Sequence, residues 1–200
     1  MPRAGLDAAA VVSGAARLAD EIGLANVTMG LLAERLGVRA PSLYKHIAGQ
    51  ADLNRQIAVL ALTELGDALT HALQGRSGKE ALSAAARTIR GFVLEHPGRY
   101  ATTVRIDAEG PDDPLAAAGT RVIDSLSVVP AGYGIAPDDT IHALRMLRSL
   151  LHGFAVLESA GGFQMDTDVD ESFEWLVDFA DQGLRRLGEA QASSDSTSTS

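Results

Sequence analysis

Apolar residues along this chain recur every three or four positions, and no stretch alternates apolar and polar residues long enough to read as a strand. The pattern predicts helices throughout. Val11, Ala15, Leu18 and Ile22 mark the first, with Asp7 as its N-cap, Leu6 and Val11 as a hydrophobic staple, and Gly23 as its stop. Thr28 caps a second helix over 29–36, which puts Leu32, Ala33 and Leu36 on one face. Gly37 supplies a left-handed turn and Val38 folds back toward the core. Pro41 suits the first turn of a short third helix that runs from Ser42 to Ile47.

A long fourth helix spans about 50–73, with Leu53, Ile57, Leu60, Leu65, Ala68 and Ala72 in register. Ser77-Gly78-Lys79-Glu80 reads as a capping box for a fifth, which carries Leu82, Ala86, Ile89 and Val93 until Pro97 breaks it. A short helix is expected from Gly98 to about Asp107, a turn over 109–114, a helix over 115–129 and a loop over 130–134. Asp138 or Asp139 starts a long helix that aligns Ile141, Leu144, Leu147, Leu151 and Phe154 and ends at Gly161-Gly162. Asp170 caps a last helix bearing Phe173, Leu176, Val177, Ala180, Leu184 and Leu187. After Gly188 the residues are small and polar, too poor in apolar area to offset the entropy of ordering. The expectation is an all-α chain: a three-helix head over 1–49, a helical-bundle body over 50–188 and a disordered tail over 189–200.

Composition narrows the class. Two hundred residues, 46% of them hydrophobic, bury a sizeable core. There is no cysteine, which excludes disulfides and thiolate metal sites. The N-terminus lacks a signal-peptide apolar run, and nothing approaches the ~18 apolar residues of a membrane span. A cytoplasmic protein with no membrane partner is expected. The net charge of −9 is unevenly spread. Residues 1–55 hold six Lys/Arg against five Asp/Glu, a net of +1, which leaves −10 for the remainder. An acidic body with a near-neutral head suits a protein that meets nucleic acid by one end.

The head carries the chemistry. Its short third helix presents Ser42, Tyr44, Lys45 and His46, side chains able to reach phosphates and base edges in a major groove. The run Val27-Thr28-Met29, Leu32-Ala33, Leu36-Gly37-Val38, Pro41-Ser42-Leu43-Tyr44, His46-Ile47 and Asp52-Leu53 resembles the DNA-binding domain of the tetracycline-repressor (TetR) family of bacterial regulators. The resemblance covers about the first 60 residues. It implies a helix-turn-helix head, a ligand-binding and dimerisation body, and a homodimeric repressor released from its operator by a small molecule. Two positions depart from the family pattern. Gly30 stands where a polar or basic residue is usual, and Gln50 where a lysine is usual. Both changes remove phosphate contacts. Leu151-His152-Gly153-Phe154, Leu157-Glu158, Gly161-Gly162-Phe163 and Phe173-Glu174-Trp175-Leu176 resemble the C-terminal domain of a TetR subgroup known by a Trp-His-Gly signature, with Leu151 in place of the Trp.

The candidate DNA-contacting residues are Thr28, Arg39, Pro41, Ser42, Tyr44, Lys45 and His46. Tyr44 can touch a phosphate or a thymine methyl, or simply pack the short helix. Lys45 and His46 can bind the DNA backbone, or form a solvated face. Arg39 can read guanine or hold a phosphate, or be a surface arginine. Thr28 offers its hydroxyl and a helix N-terminus to a phosphate while also serving as a cap. Pro41 is structural, with apolar contact to a thymine methyl as a second role. For an effector, Phe92, His96, Tyr100, His142, Met146 and Phe154 are the candidate lining of a mostly apolar pocket, set against the ordinary role of such residues as core. His152 and Phe163 belong to the same group.

Other chemistry finds little support. The histidines lack acidic partners at metal spacing, so no metal or cofactor is expected. There is no G-x-S-x-G elbow, no G-x-G-x-x-G after a strand and no Glu-x-x-His pair for a di-iron bundle, so no catalytic residue is expected. Gly75-Arg76-Ser77-Gly78-Lys79-Glu80 superficially resembles a phosphate loop, but its spacing is wrong and no strand precedes it. The expected function is a repressor on palindromic double-stranded DNA, acting as a homodimer. The alternatives are an activator on the same fold, or a helical ligand-binding protein whose head does not read DNA.

Overall fold

The computed structural model describes residues 6–104, 108–110 and 112–198, the last five by backbone alone. The described residues form nine α-helices and no strand. These are α1 (Ala8–Ile22), α2 (Met29–Arg35), α3 (Ala40–Leu43), α4 (Gln50–Leu73), α5 (Gly78–Glu95), α6 (Pro97–Ala101), α7 (Pro114–Ala131), α8 (Pro137–Ser159) and α9 (Val169–Ser198). By their contacts they fall into two compact units, residues 1–64 with 95–119, and residues 65–94 with 120–200. The expected boundary at residue 49 differs from this. The first unit keeps the opening of α4, which joins the head's own core, and takes back α6, which packs on α1.

That core joins Val11, Ala15 and Leu18 of α1 to Leu32 and Ala33 of α2, Leu43 of α3, Ile47, and Leu53 and Ile57 of α4. Asp7 caps α1, its Oδ1 accepting the Ala10 amide at 2.7 Å. Thr28 caps α2, its Oγ1 accepting the Leu31 amide at 3.3 Å. Both sequence-derived caps hold the ends of the helices whose apolar faces build the core.

The second unit is a helical body. Leu82, Ala86, Ile89 and Val93 of α5, Leu147 and Leu151 of α8, and Phe173, Val177 and Leu184 of α9 are buried. Arg90 ties three elements together. It donates to Glu158 from Nε at 2.7 Å and from its terminal nitrogen at 2.6 Å, and to Asp170 at 2.6 Å. Its guanidinium lies 4.6 Å from the centre of the Phe173 ring.

Three local expectations are corrected. The helix expected over 42–47 is shorter and earlier, Ala40–Leu43, followed by a turn. The last helix is capped by Asp168, not Asp170: Asp168 Oδ1 accepts the amides of Asp170 at 2.7 Å and Glu171 at 3.2 Å. The tail expected to be disordered from 189 continues α9 to Ser198. Gln191 anchors it, accepting from the Ala136 amide at 2.7 Å and donating to Asp139. Residues 105–107 of the short helix expected after Gly98, and residues 199–200 of the tail, lie outside the described residues.

Candidate nucleic-acid interface

The geometry of the motif begins at Gly37. At φ +66° it takes the left-handed conformation that turns the chain out of α2. Its amide donates to the Glu34 carbonyl at 3.0 Å, and the Val38 amide donates to the Ala33 carbonyl at 3.0 Å. Arg39 then precedes α3, with Pro41 in its first turn and the Ser42 amide donating to the Arg39 carbonyl at 2.8 Å. Leu43 and Ile47 are buried, at 0% and 1% exposure. Their burial fixes which side faces out. Tyr44 is 57% exposed, and Lys45, Arg39 and Pro41 are exposed as well.

Six of the seven candidate DNA-contacting residues therefore lie on or just after the stretch that leads from the α2–α3 turn through α3, and Thr28 stands at the other end of α2. Thr28 is exposed at the head of α2, while Ser42 and His46 are half-buried. The turn that replaces the end of the expected helix is closed by the amides of His46 and Ile47, which donate to the Leu43 carbonyl at 2.9 and 3.0 Å. Asp52 secures the exit, its Oδ2 accepting the Ala48 amide at 2.8 Å. Of the two positions that depart from the family pattern, a Cβ at Gly30 would make only an ordinary contact, 3.9 Å from Thr28 Oγ1, and Gln50 turns its amide onto Asn54 at 3.1 Å.

The six candidate effector residues are divided. His96 and Tyr100 belong to the first unit, and Phe92, His142, Met146 and Phe154 to the second. Phe92 and Tyr100 are buried, and His142 is exposed. Phe154 stacks against Phe163 at 4.8 Å and Phe173 at 5.2 Å between ring centres, so its neighbours are the chain's own aromatics. An open cleft of about 560 Å³ in the first unit is lined by Ala8, Val12, Arg55, Val59, Leu60 and Asp113 among others. A second, of about 710 Å³, runs along α5 past Arg76, Lys79, Ser83 and Arg87. None of the six residues lines either cleft. Among the described residues no group of three His, Asp or Glu could hold a metal ion, and no helix is long and apolar enough to cross a membrane.

Sequence reasoning missed a densely bonded cluster of the first unit. Arg99 of α6, buried at 8% exposure, binds Asp20 of α1 and Glu64 of α4. Partners 79 and 35 residues apart leave no periodic signal in the chain.

Comparison with known proteins places this helix-turn-helix. Residues 11–56 match the model for bacterial regulatory proteins of the TetR family, and residues 82–180 match that for the tetracyclin repressor-like C-terminal domain. The chain is 33% identical over 178 residues to the uncharacterised HTH-type transcriptional regulator YobS of Bacillus subtilis, covering 88% of this chain and 91% of YobS. The chain belongs to the TetR family of helix-turn-helix transcriptional regulators. The fold agrees with solved structures. A TetR variant from Acinetobacter baumannii in complex with minocycline superposes with a TM-score of 0.70 at 24% identity, over 92% of this chain and 98% of that one. BioQ with its natural double-stranded DNA operator does so with a TM-score of 0.66 at 20% identity, over 90% and 99%.

Proposed function

We propose that this regulator is a homodimeric repressor that reads a palindromic operator with the α2–α3 turn and is released by a mostly apolar small molecule bound in its body. One observation carries the DNA-reading part: Leu43 and Ile47 are fully buried while Arg39, Tyr44 and Lys45 stand exposed on the same short segment. A cationic and aromatic strip on a segment that the core immobilises is the form of a groove-reading element. The structural neighbours lend support, since one holds its operator and another holds minocycline.

The second copy is supported by α8 and α9. Ile141, Val156 and Leu157 on α8 and Trp175, Phe179 and Leu187 on α9 are exposed, with Trp175 at 76% and Phe179 at 68%. Large apolar side chains spaced along two helices fit a symmetric interface better than they fit water. We assign the ligand-binding role to the body, with Phe92, Met146 and Phe154 as its candidate residues there, and the finer Trp-His-Gly subgroup to the Leu151-His152-Gly153 segment.

The test is selection from a library of random duplexes, followed by gel shift on the winner and on the DNA upstream of the chain's own coding region. An inverted repeat with half-sites about one helical turn apart, ~34–36 Å, is expected. Light scattering at micromolar concentration should give twice the chain mass. A monomer of intact helicity that selects no duplex would leave a helical ligand-binding protein with a silent head.

A further inference from the structure

α6 is too short to hold itself. Its five residues make little more than one turn, and its N-cap residue, His96, makes no side-chain cap hydrogen bond. The missing acceptor comes from α1. Asp20 Oδ1 accepts the Arg99 amide at 2.9 Å, and its Oδ2 accepts Arg99 Nε at 2.8 Å. The same guanidinium donates to Glu64 of α4 at 2.6 Å. Close approach is possible only because residue 98 is glycine: a Cβ there would lie 1.9 Å from the Ala19 carbonyl oxygen. The far end of α6 is closed by the hydroxyls of Thr102 and Thr103, which donate to the carbonyls of Arg99 and Tyr100 at 2.6 and 2.8 Å. His96 adds a ring nitrogen 3.5 Å from Asp20.

Both helices that Arg99 joins feed the core beneath the DNA-reading turn. α1 contributes Val11, Ala15 and Leu18, and α4 contributes Leu53 and Ile57, to the cluster that buries Leu32 and Leu43. Apolar contacts alone tolerate small slides of one helix along another. A buried guanidinium shared between two carboxylates does not, because its hydrogen bonds are directional. We propose that Arg99 is a positioning residue for operator reading: from α6 it fixes α1 against α4, and so fixes the register in which Tyr44 and Lys45 are presented. The inference rests on the DNA-reading function proposed above and adds α6 to the DNA-reading unit.

Base-edge contacts require register, whereas phosphate contacts to any duplex do not. The readout is therefore the ratio of affinities for a selected operator and for a scrambled duplex of the same length. It is measured on the full chain and on Arg99→Lys, Asp20→Asn and Glu64→Gln, well below each melting temperature and at matched helicity. The ratio should fall roughly tenfold in Arg99→Lys and Asp20→Asn, with the scrambled affinity kept within about twofold. Glu64→Gln should fall less, because that carboxylate is 40% exposed. A purely structural role would lower melting temperature and leave the ratio untouched. Ratios within about twofold of the parent in every folded variant would overturn the proposal. Should the first two variants fail to fold, Glu64→Gln decides alone: a ratio reduced about threefold supports the clamp and an unchanged ratio rejects it. A parent that prefers no duplex defeats the DNA-reading function itself, and that result appears before any variant is made.

Discussion

Tyr44 and Lys45 follow directly after Leu43, whose side chain is fully buried, so one residue of offset separates the core from the proposed operator surface. Their alanine variants should fold as the parent does, since neither side chain contributes to the buried cluster. Each should weaken operator binding, and loss of the Lys45 phosphate contact should flatten the dependence of log affinity on log salt by about one unit. Parent-like binding by both variants across several salt concentrations would remove these residues from the interface. That these side chains face out was legible in the sequence, because the helix-turn-helix run is local and its periodicity says which residues face in.

A second site at the residue scale was not legible. Tyr133 donates its hydroxyl to Asp181 at 2.6 Å, and Arg185 donates to the same carboxylate at 3.0 Å. Burial pushes the Asp181 carboxyl up, but the hydrogen bonds from Tyr133 and Arg185 and the charges of Arg185 and Lys79 outweigh it and hold it below its ordinary value. Burial, and then Asp181, push the Tyr133 phenol above its ordinary value. The two signs define a window. The Asp181 contribution is present above the ordinary carboxylate range and lost as pH falls through its depressed value; that of Tyr133 is present below about pH 10 and lost as pH rises beyond it. Tyr133→Phe should therefore cost about 1 kcal/mol near neutrality, with the difference from the parent shrinking below about pH 4 and above about pH 10. Urea unfolding across pH measures it, and a pH-independent difference would refute the linkage.

At the scale of elements, helix existence was read well and helix ends less well. The expected long fourth helix over 50–73 matches α4 residue for residue, because its apolar stripe is long and bounded by Gly75. The end of α9 was misjudged for a physical reason. Composition counts apolar area, and the segment after Gly188 has little. What holds it is polar and distant in sequence: Gln191 bonds the Ala136 amide and Asp139 at the start of α8. Gly188 is also buried, close enough to Tyr133 that a Cβ would lie 1.9 Å from its carbonyl oxygen. Truncation after Gly188 should thus lower stability by about 1 kcal/mol, the usual worth of such hydrogen bonds, while truncation after Ser193 should leave it unchanged. Thermal melts of the two truncations decide this, and equal melting temperatures would show that Gln191 anchors nothing.

For the whole molecule, the family and its all-helical architecture were readable from the first 60 residues and the helical periodicity, whereas the proposed effector site remains a proposal. Pocket residues announce themselves only as apolar or aromatic positions, and most such positions are core. Phe92 and Tyr100 are buried and Phe154 is packed by Phe163 and Phe173, which is how core residues look as well. The proposed switch must therefore be tested by thermodynamics. A ligand that binds both states of the regulator equally shifts nothing, however tightly it binds. One that releases the operator must bind the free form better, and the coupling is reciprocal by linkage. A lipophilic compound found by thermal-shift screening should weaken operator binding by some factor, and saturating operator should weaken binding of that compound by the same factor. Fluorescence of Trp175, the only tryptophan, reads out the second measurement if the compound binds beside it. Coupling typically amounts to ~1–3 kcal/mol, so factors of about 5 to 150 are expected. A compound that binds the body with no mutual effect on operator affinity would sink the switch and leave a DNA-binding regulator controlled in another way.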